Sequence, residues 1–261
     1  MLSFDKACVR KAIFSFPPGS SGGSDGLTPQ HLKDLIIIEG NSGSLLTAIT
    51  SLVNFLVEGR MPEEIKPFFF GGRLITLLKK DGGVRPIVVG QCLRRLTSKL
   101  VSSYATSQLS PMLSPLQVGV GVARGVEAVV HATRSLASSL GPSEVIVKLD
   151  FVNVFNCIRR DIFLEAVAQS VPEAYPYVRS AYDTPSFLGY EGNVILSAEG
   201  VQQGDPLGPL LFCLAIHPIL ESIQAEYRIG YLDDLSLRGD LIQVAGEVDR
   251  LKSAAAKVGL I

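Results

Sequence analysis

GYLDDLSL, Gly230 to Leu237, sets two adjacent carboxylates, Asp233 and Asp234, inside an otherwise apolar and aromatic octapeptide. Like charges side by side repel, and burial raises the cost of keeping both ionised. Tyr231, Leu232, Leu235 and Leu237 read as two short strands around a turn, and Asp is a favoured turn residue. A turn accounts for the place of the acids but not for their doubling. A divalent cation accounts for both, because Mg²⁺ takes hard oxygen ligands and a pair of ions can be clamped by a few carboxylates. On this stretch alone the turn is the simpler reading, and the rest of the chain has to decide.

The chain has 261 residues, enough for a substantial core in one domain or two closely packed subdomains. Hydrophobic residues make up 47% and charged residues 19%, which excludes the low-hydropathy, high-charge composition of a disordered chain. No apolar run approaches the roughly 18 residues of a membrane helix, so no membrane partner is expected. The opening MLSFDKACVRKAIFSF scatters charges through its apolar residues and does not read as a signal peptide, which points to an intracellular setting. Cys8, Cys92, Cys157 and Cys213 are far apart and form no Cys-x-x-Cys pair, so they read as core or incidental thiols. His31, His131 and His217 share no metal-ligand spacing and read as structural; His217 before Pro218 marks a possible kink. Net charge is −1, yet Arg73, Lys79, Lys80, Arg85, Arg94, Arg95 and Lys99 fall in one segment against the single acid Asp81. A neutral protein therefore carries a basic stretch.

Pro17 to Gln30 is rich in Gly, Ser and Pro and reads as loop, with Thr28 and Pro29 a helix start. Helical spacing follows over His31–Glu39 and Ser44–Glu58, ended by Gly59. RLITLLKKDGGVRPIVVG is two apolar runs joined by a basic tip, a hairpin signature. Gln91 to Gln108 reads as helix. Arg124 to Leu140 does so more clearly, with Val126, Val129, Val130, Thr133, Leu136 and Leu140 on one face. A strand over Glu144–Leu149 runs into Asp150. Helix Arg159–Gln169, strand Asn193–Ser197, an all-round apolar and hence buried helix Pro206–Gln224, and helix Leu241–Val258 complete the pattern. This order indicates an α+β fold, a small antiparallel sheet backed by helices. If the strand ending at Asp150 neighbours the hairpin of Asp233 and Asp234, three carboxylates meet at one sheet edge.

VKLDFVNVF (Val147 to Phe155), EGVQQGDPLGPLLF (Glu199 to Phe212) and GYLDDL (Gly230 to Leu235) together, in this order, closely resemble the catalytic palm of reverse transcriptases, particularly those of non-LTR retrotransposons. The resemblance extends upstream to GSSGGSDGLTPQHL (Gly19 to Leu32) and KKDGGVRPIVVGQCLRR (Lys79 to Arg95). It implies a right-hand polymerase, with fingers over residues 1–90 and 115–143, palm over 91–114 and 144–261, and a chain that ends before the thumb. It also implies RNA-directed DNA polymerase activity on a primer–template with dNTPs and two Mg²⁺ ions, or Mn²⁺ in their place, in the nucleus or cytoplasm.

By this resemblance Asp150 and Asp233 are the main metal ligands, joined by the carbonyl of Phe151, and Asp234 supports them in catalysis. Successive residues of an extended chain point to opposite sides, so the two aspartates of the pair cannot face the ions equally. Phe155 stands where the family places an aromatic under the nucleotide sugar; an isolated Phe is otherwise a core residue. Gln203 and Gly204 would approach the nucleotide, Gln through its amide and Gly because no Cβ obstructs the backbone. Asp205 before Pro206 makes equal sense as a helix N-cap. Lys79, Lys80 and Arg85 suit triphosphate oxygens, while Arg94 and Arg95, with Lys99, would contact the template backbone. Two other readings stand beside the polymerase: a catalytically silent decayed or domesticated fragment that binds nucleic acid, and another palm-type enzyme such as a nucleotide cyclase, which would lack the basic hairpin and the Gln-Gln-Gly-Asp-Pro block.

Overall fold

A computed structural model describes residues 1–39, 43–80 and 82–260. The N-terminal part is helical: α1 (Lys6–Phe14), α2 (Pro29–Glu39), α3 (Ser44–Val57) and the single turn α4 (Lys66–Phe69). Asp5 caps α1 by accepting from the Cys8 amide at 2.7 Å, and Thr28 Oγ1 accepts from the His31 amide at 3.2 Å at the start of α2. The hairpin β1 (Gly72–Leu78) and β2 (Val84–Gly90) leads into the long α5 (Cys92–Leu113) and then α6 (Gly125–Ser138). Then come β3 (Glu144–Asp150), the turn α7 (Val154–Cys157), α8 (Arg160–Ser170), α9 (Tyr175–Tyr182), β4 (Ser186–Tyr190) and β5 (Asn193–Ser197). The chain closes with α10 (Gly208–Ser222), β6 (Tyr227–Tyr231), β7 (Asp234–Asp240) and α11 (Leu241–Lys257). No helix among the described residues is long and apolar enough to cross a membrane.

Two small sheets organise these elements into the α+β architecture. One has three antiparallel strands in the order β3-β7-β6; the other has four in the order β2-β1-β4-β5, with β1 and β4 parallel and the remaining pairs antiparallel. β4 has no counterpart in the sequence reading, and its short parallel pairing, Gly72 with Leu188 and Arg73 with Gly189, fastens the β1–β2 hairpin to the rest of the molecule. Helix α10 is the spine of the core. Leu210, Leu211, Phe212, Cys213, Leu214, Ile216 and Leu220 are all buried on it, as an all-round apolar helix must be. Burial pushes the thiol of Cys92 up to about 11 and that of Cys213 higher still, so both behave as small apolar groups.

Three expectations need correcting. The last core helix begins at Gly208 rather than Pro206, because Asp205 and Pro206 lie in a preceding turn where Asp205 Oδ1 accepts from the Leu207 amide at 3.0 Å. The helix expected over Arg124–Leu140 ends at Ser138, and of its apolar stripe Val129, Thr133 and Leu136 are half-buried, whereas Val126 and Val130 on α6 and Leu140 beyond it are exposed. Third, Arg94 is no template contact. It is 1% exposed and its guanidinium donates to the Phe70 carbonyl, to Gln202 Oε1 and, at 2.7 Å, to Asp205 Oδ2.

A buried guanidinium requires this set of partners, since charge taken out of water unpaired is costly. Burial is the largest single influence and would lower the pKa of Arg94, but the Asp205 carboxylate, Tyr182 and Tyr177 together outweigh it and raise it. Tyr182 donates its hydroxyl to Asp205 Oδ2 at 2.7 Å, and Tyr177 donates to the Arg94 carbonyl at 3.1 Å. Gln202 Nε2 donates to the Phe70 carbonyl at 3.0 Å and to Ser186 Oγ at 2.8 Å. Helix α5, the turn before α10, α9, β4 and the end of α4 are thus joined by one polar network. Arg94→Met leaves Asp205 charged and unpaired, and is expected to lower the unfolding free energy by about 3–5 kcal/mol. Arg60→Met, which removes an exposed pair with Glu58, is expected to cost no more than about 1 kcal/mol. Urea denaturation of the two variants against the parent chain measures the difference.

Candidate active site

The register of the three-stranded sheet decides where the acids fall. Asp150, the last residue of β3, lies opposite Asp234, the first residue of β7, and Tyr231 on β6 is the other neighbour of Asp234. Leu232 and Asp233 form the two-residue loop between β6 and β7, with Leu232 in the left-handed region at φ +55°. The two aspartates consequently do different things. Asp234 Oδ1 accepts from Lys148 Nζ at 2.8 Å across the strands, and that contact is the first cause of the raised Lys148 pKa. Asp233 turns into a cavity with Asp150. Burial, together with the charges of Asp150 and Asp234, pushes the Asp233 carboxyl above its ordinary value, while Arg85 and a hydrogen bond of the Asp233 backbone pull it back.

That cavity, of about 790 Å³, opens between the two sheets. One wall carries Asp150, Phe151, Asn153, Phe155 and Asp233; the facing wall carries Lys79, Arg85, Pro86 and Ile87 from the basic hairpin, and the floor is the segment Gln202–Pro206. Of the residues singled out in the sequence, it brings together Asp150, Phe151, Asp233, Lys79, Arg85, Phe155, Gln203 and Gly204. Asp234, Lys80, Arg94 and Arg95 do not line it. Lys80 is exposed near the hairpin tip, and Asp81 beside it lies outside the described residues. The Arg95 guanidinium donates to the Ser21 carbonyl and lies 5.8 Å from the Phe16 ring; Lys99 Nζ donates to the Ser15 carbonyl at 3.1 Å. Both cations bind the N-terminal segment to α5.

Local packing holds the floor in place. Val88 on β2 donates its amide to the Gln203 carbonyl at 2.7 Å, and Val201 donates to the Phe155 carbonyl at 2.6 Å, so the floor is stitched to both walls. The Phe155 ring sits 5.2 Å from that of Phe212 on α10, half-buried with one side on the core. Gly204 has φ +116°, and a Cβ there would stand 2.3 Å from the Val88 carbonyl oxygen. Only glycine fits that close approach. Gln202 and Asn153 were not singled out in the sequence. The doubled Gln in VQQGDP was the available signal for Gln202, whose amide is buried in the Arg94 network.

The donors fit a hard divalent cation. Two carboxylates share a cavity wall, one of them held above its ordinary pKa by burial and by its neighbours, and a cation would relieve that repulsion. Among the described residues no group of three or more His, Cys, Asp or Glu side chains stands at metal-holding spacing, so a third protein donor here would be a backbone carbonyl or an amide oxygen of the lining residues Asn153 and Gln203.

Residues 77–260 match the sequence model of the family described as reverse transcriptase (RNA-dependent DNA polymerase). The chain belongs to the reverse transcriptase family. It is 27% identical over 264 aligned positions to the retrovirus-related Pol polyprotein from type-1 retrotransposable element R2 of Bradysia coprophila, covering 91% of this chain and 28% of that protein. It is 24% identical to the corresponding polyprotein from type-2 retrotransposable element R2DM of Drosophila melanogaster, covering 79% of this chain and 20% of the relative. The chain therefore spans between a fifth and three-tenths of these relatives. Its fold is similar to that of apo telomerase from Candida tropicalis truncated from its C-terminal domain: TM-score 0.54, 15% identity, 80% of this chain and 53% of that one. The telomerase of Candida albicans in complex with a TWJ fragment of telomeric RNA aligns with TM-score 0.52 and 13% identity over 74% of this chain and 40% of its own.

The family match begins at Leu77 on the basic hairpin and runs through both cavity walls. Gly204→Ala, which puts a methyl group against the Val88 carbonyl, is expected to cost about 1–3 kcal/mol or more in stability. Hydrogen exchange over the β2 segment that holds the Val88 amide should rise with it, which peptide-level mass spectrometry reads.

Proposed function

We propose that this chain is the polymerising unit of a retrotransposon reverse transcriptase, an RNA-directed DNA polymerase that joins dNTPs to a primer 3′-hydroxyl on an RNA or DNA template. The observation that carries the reading is the opposition of charge across one cavity: Asp150 and Asp233 on one wall, Lys79 and Arg85 on the other. A nucleoside triphosphate with divalent metal needs both, cations for its phosphate oxygens and carboxylates for the metal. The three-stranded sheet with α10 behind it then corresponds to the palm and the β1–β2 hairpin to the fingers. The division at residues 1–90 and 115–143 for fingers, and 91–114 and 144–261 for palm, belongs to this reading.

Asp150 and Asp233, with the Phe151 carbonyl, would hold two Mg²⁺ ions. When bound, these ions supply charge stabilisation for the attacking oxygen and for the pyrophosphate leaving group. The primer 3′-hydroxyl gives up its proton to solvent, the bond from O3′ to the α-phosphorus forms as the bond from that phosphorus to the α,β-bridging oxygen breaks, and pyrophosphate leaves. Arg85, with its planar fork, and Lys79 neutralise the triphosphate, and Lys80 adds charge at the hairpin tip. Gln203 offers an amide and Gly204 bare backbone to the nucleotide. Phe155, fixed against Phe212, sits under the sugar and leaves no room for a 2′-hydroxyl. Asp234, paired with Lys148, keeps a second negative charge beside the ligands without entering the cavity.

The full chain is expected to extend an oligo(dT) primer on poly(rA) with Mg²⁺ and dTTP, and Asp233→Ala to lower the rate by about 10³-fold or more. Absence of extension by the parent chain, or extension that survives in Asp233→Ala, overturns the proposal and favours a silent fragment that binds nucleic acid. Phe155→Val should raise incorporation of UTP relative to dTTP, scored by primer extension with each nucleotide alone.

A further inference from the structure

We propose that Gln117 is a positioning residue that holds the Leu232–Asp233 loop in a strained turn and so aims Asp233 into the cavity. This rests on the reading of Asp233 as a metal ligand. Gln117 lies in the segment between α5 and α6, far from the cavity lining in sequence, and is 0% exposed. Its amide is spent on the hairpin: Oε1 accepts from the Leu232 amide at 2.8 Å and from the Gly119 amide at 3.0 Å, and Nε2 donates to the Leu232 carbonyl at 3.1 Å. One side chain thus engages both backbone polar groups of the residue that precedes Asp233.

Leu232 needs such a partner. It occupies the first position of a two-residue hairpin loop at φ +55°, a place where glycine is favoured and a branched side chain is strained. Without an outside hold, the Leu232–Asp233 peptide can relax by rotating, and the Asp233 carboxylate rotates with it. The hold is rigid because its base is rigid. Gly230 donates to the Leu116 carbonyl at 2.7 Å, Val118 donates to the Gly230 carbonyl at 2.9 Å, and the Gln117 amide donates to the Leu113 carbonyl at the end of α5 at 2.8 Å. A Cβ on Gly119 would lie 2.6 Å from the Leu232 nitrogen, so the segment is pressed against the turn.

Gln117→Met preserves volume and removes all three hydrogen bonds. In the full chain it is expected to weaken Mn²⁺ binding, titrated by calorimetry, by about 10- to 100-fold, as loss of an orienting partner does at metal sites. Amide exchange over residues 228–236 should rise, with that of the β1–β2 hairpin unchanged. Adding Leu232→Gly, which adopts the turn unaided, should recover at least part of the Mn²⁺ affinity. Where the polymerase reading holds, the Mg²⁺ dependence of extension shifts in parallel while the KM for dTTP stays within about twofold. Should Gln117→Met lose its cooperative melting transition, Gly230→Ala replaces it, since its Cβ would crowd Gln117 Nε2 at 3.0 Å from outside. Unchanged Mn²⁺ affinity in the folded variant, no recovery on Leu232→Gly, or no Mn²⁺ binding by the parent chain overturns the inference. A parent chain that binds Mn²⁺ through Asp233 but extends no primer overturns the polymerase reading alone.

Discussion

The buried pair of Arg94 and Asp205 is the contact on which the geometry of the cavity depends. Each partner comes from a segment whose neighbours have other work: Arg94 follows the basic hairpin, and Asp205 closes the Gln-Gln-Gly-Asp-Pro block. Because both side chains are about 1% exposed, neither can find water as a substitute partner, and separation would leave two bare charges in the interior. The pair therefore fixes the distance between α5 and the turn before α10. Asp205 is itself part of the cavity floor, and Gln203 and Gly204 beside it reach the Val88 strand, so the floor inherits its position from this pair.

Charge is distributed with the same economy. Asp150, Asp233 and Asp234 lie within one sheet edge, and three like charges there are tolerable because each has a different outlet. Asp234 meets Lys148 at the exposed surface, a contact of small energetic value on its own. Asp233 has Arg85 across the cavity, too weak a compensation to keep its carboxyl at the ordinary pKa. Asp150 is exposed to the solvent that fills the cavity mouth. Burial and the neighbouring acids act together on Asp233, the acid that lies in the turn, and a cation there would offset both.

Much of this was legible in the sequence, for reasons tied to particular residues. The hairpins around Gly82 and around Asp233, the strand into Asp150 and the buried helix after Pro206 all carry local signals: turn residues, period-two alternation, an unbroken apolar surface. Strand β4 went unread although SFLGY pairs with β5 across the two-residue turn Glu191–Gly192, a local signal; its other pairing, with β1, comes from more than a hundred residues away and leaves no trace in the sequence. Arg94 was misread for a related reason. Beside Arg95 and ahead of Lys99 it looks like one member of a surface charge run, and only the arrival of Asp205, Gln202 and the Phe70 carbonyl from distant segments turns it inward. On α6 the apolar face was legible and its partial exposure was not, since periodicity states that a helix has an apolar face without stating that anything covers it.

The doubled aspartate can now be argued in physical terms. A two-residue loop that closes on Tyr231 and Asp234 leaves Asp233 as the one acid of the pair whose side chain is released from the ladder, while Asp234 stays in register opposite Asp150. A hairpin with one acid would have to choose between pairing across the sheet and entering the cavity. With two, the ladder acid balances Lys148 and keeps the strand ends together, and the loop acid is free to face the opposite wall. The cost is a leucine held at positive φ, and it is borne by the segment from Leu113 to Gly119, which contributes nothing to the cavity lining itself. The acids of the cavity are therefore placed by contacts on their far sides, Asp233 through the turn that precedes it and Asp150 through the strand it ends, which leaves the inner faces of both carboxylates unencumbered.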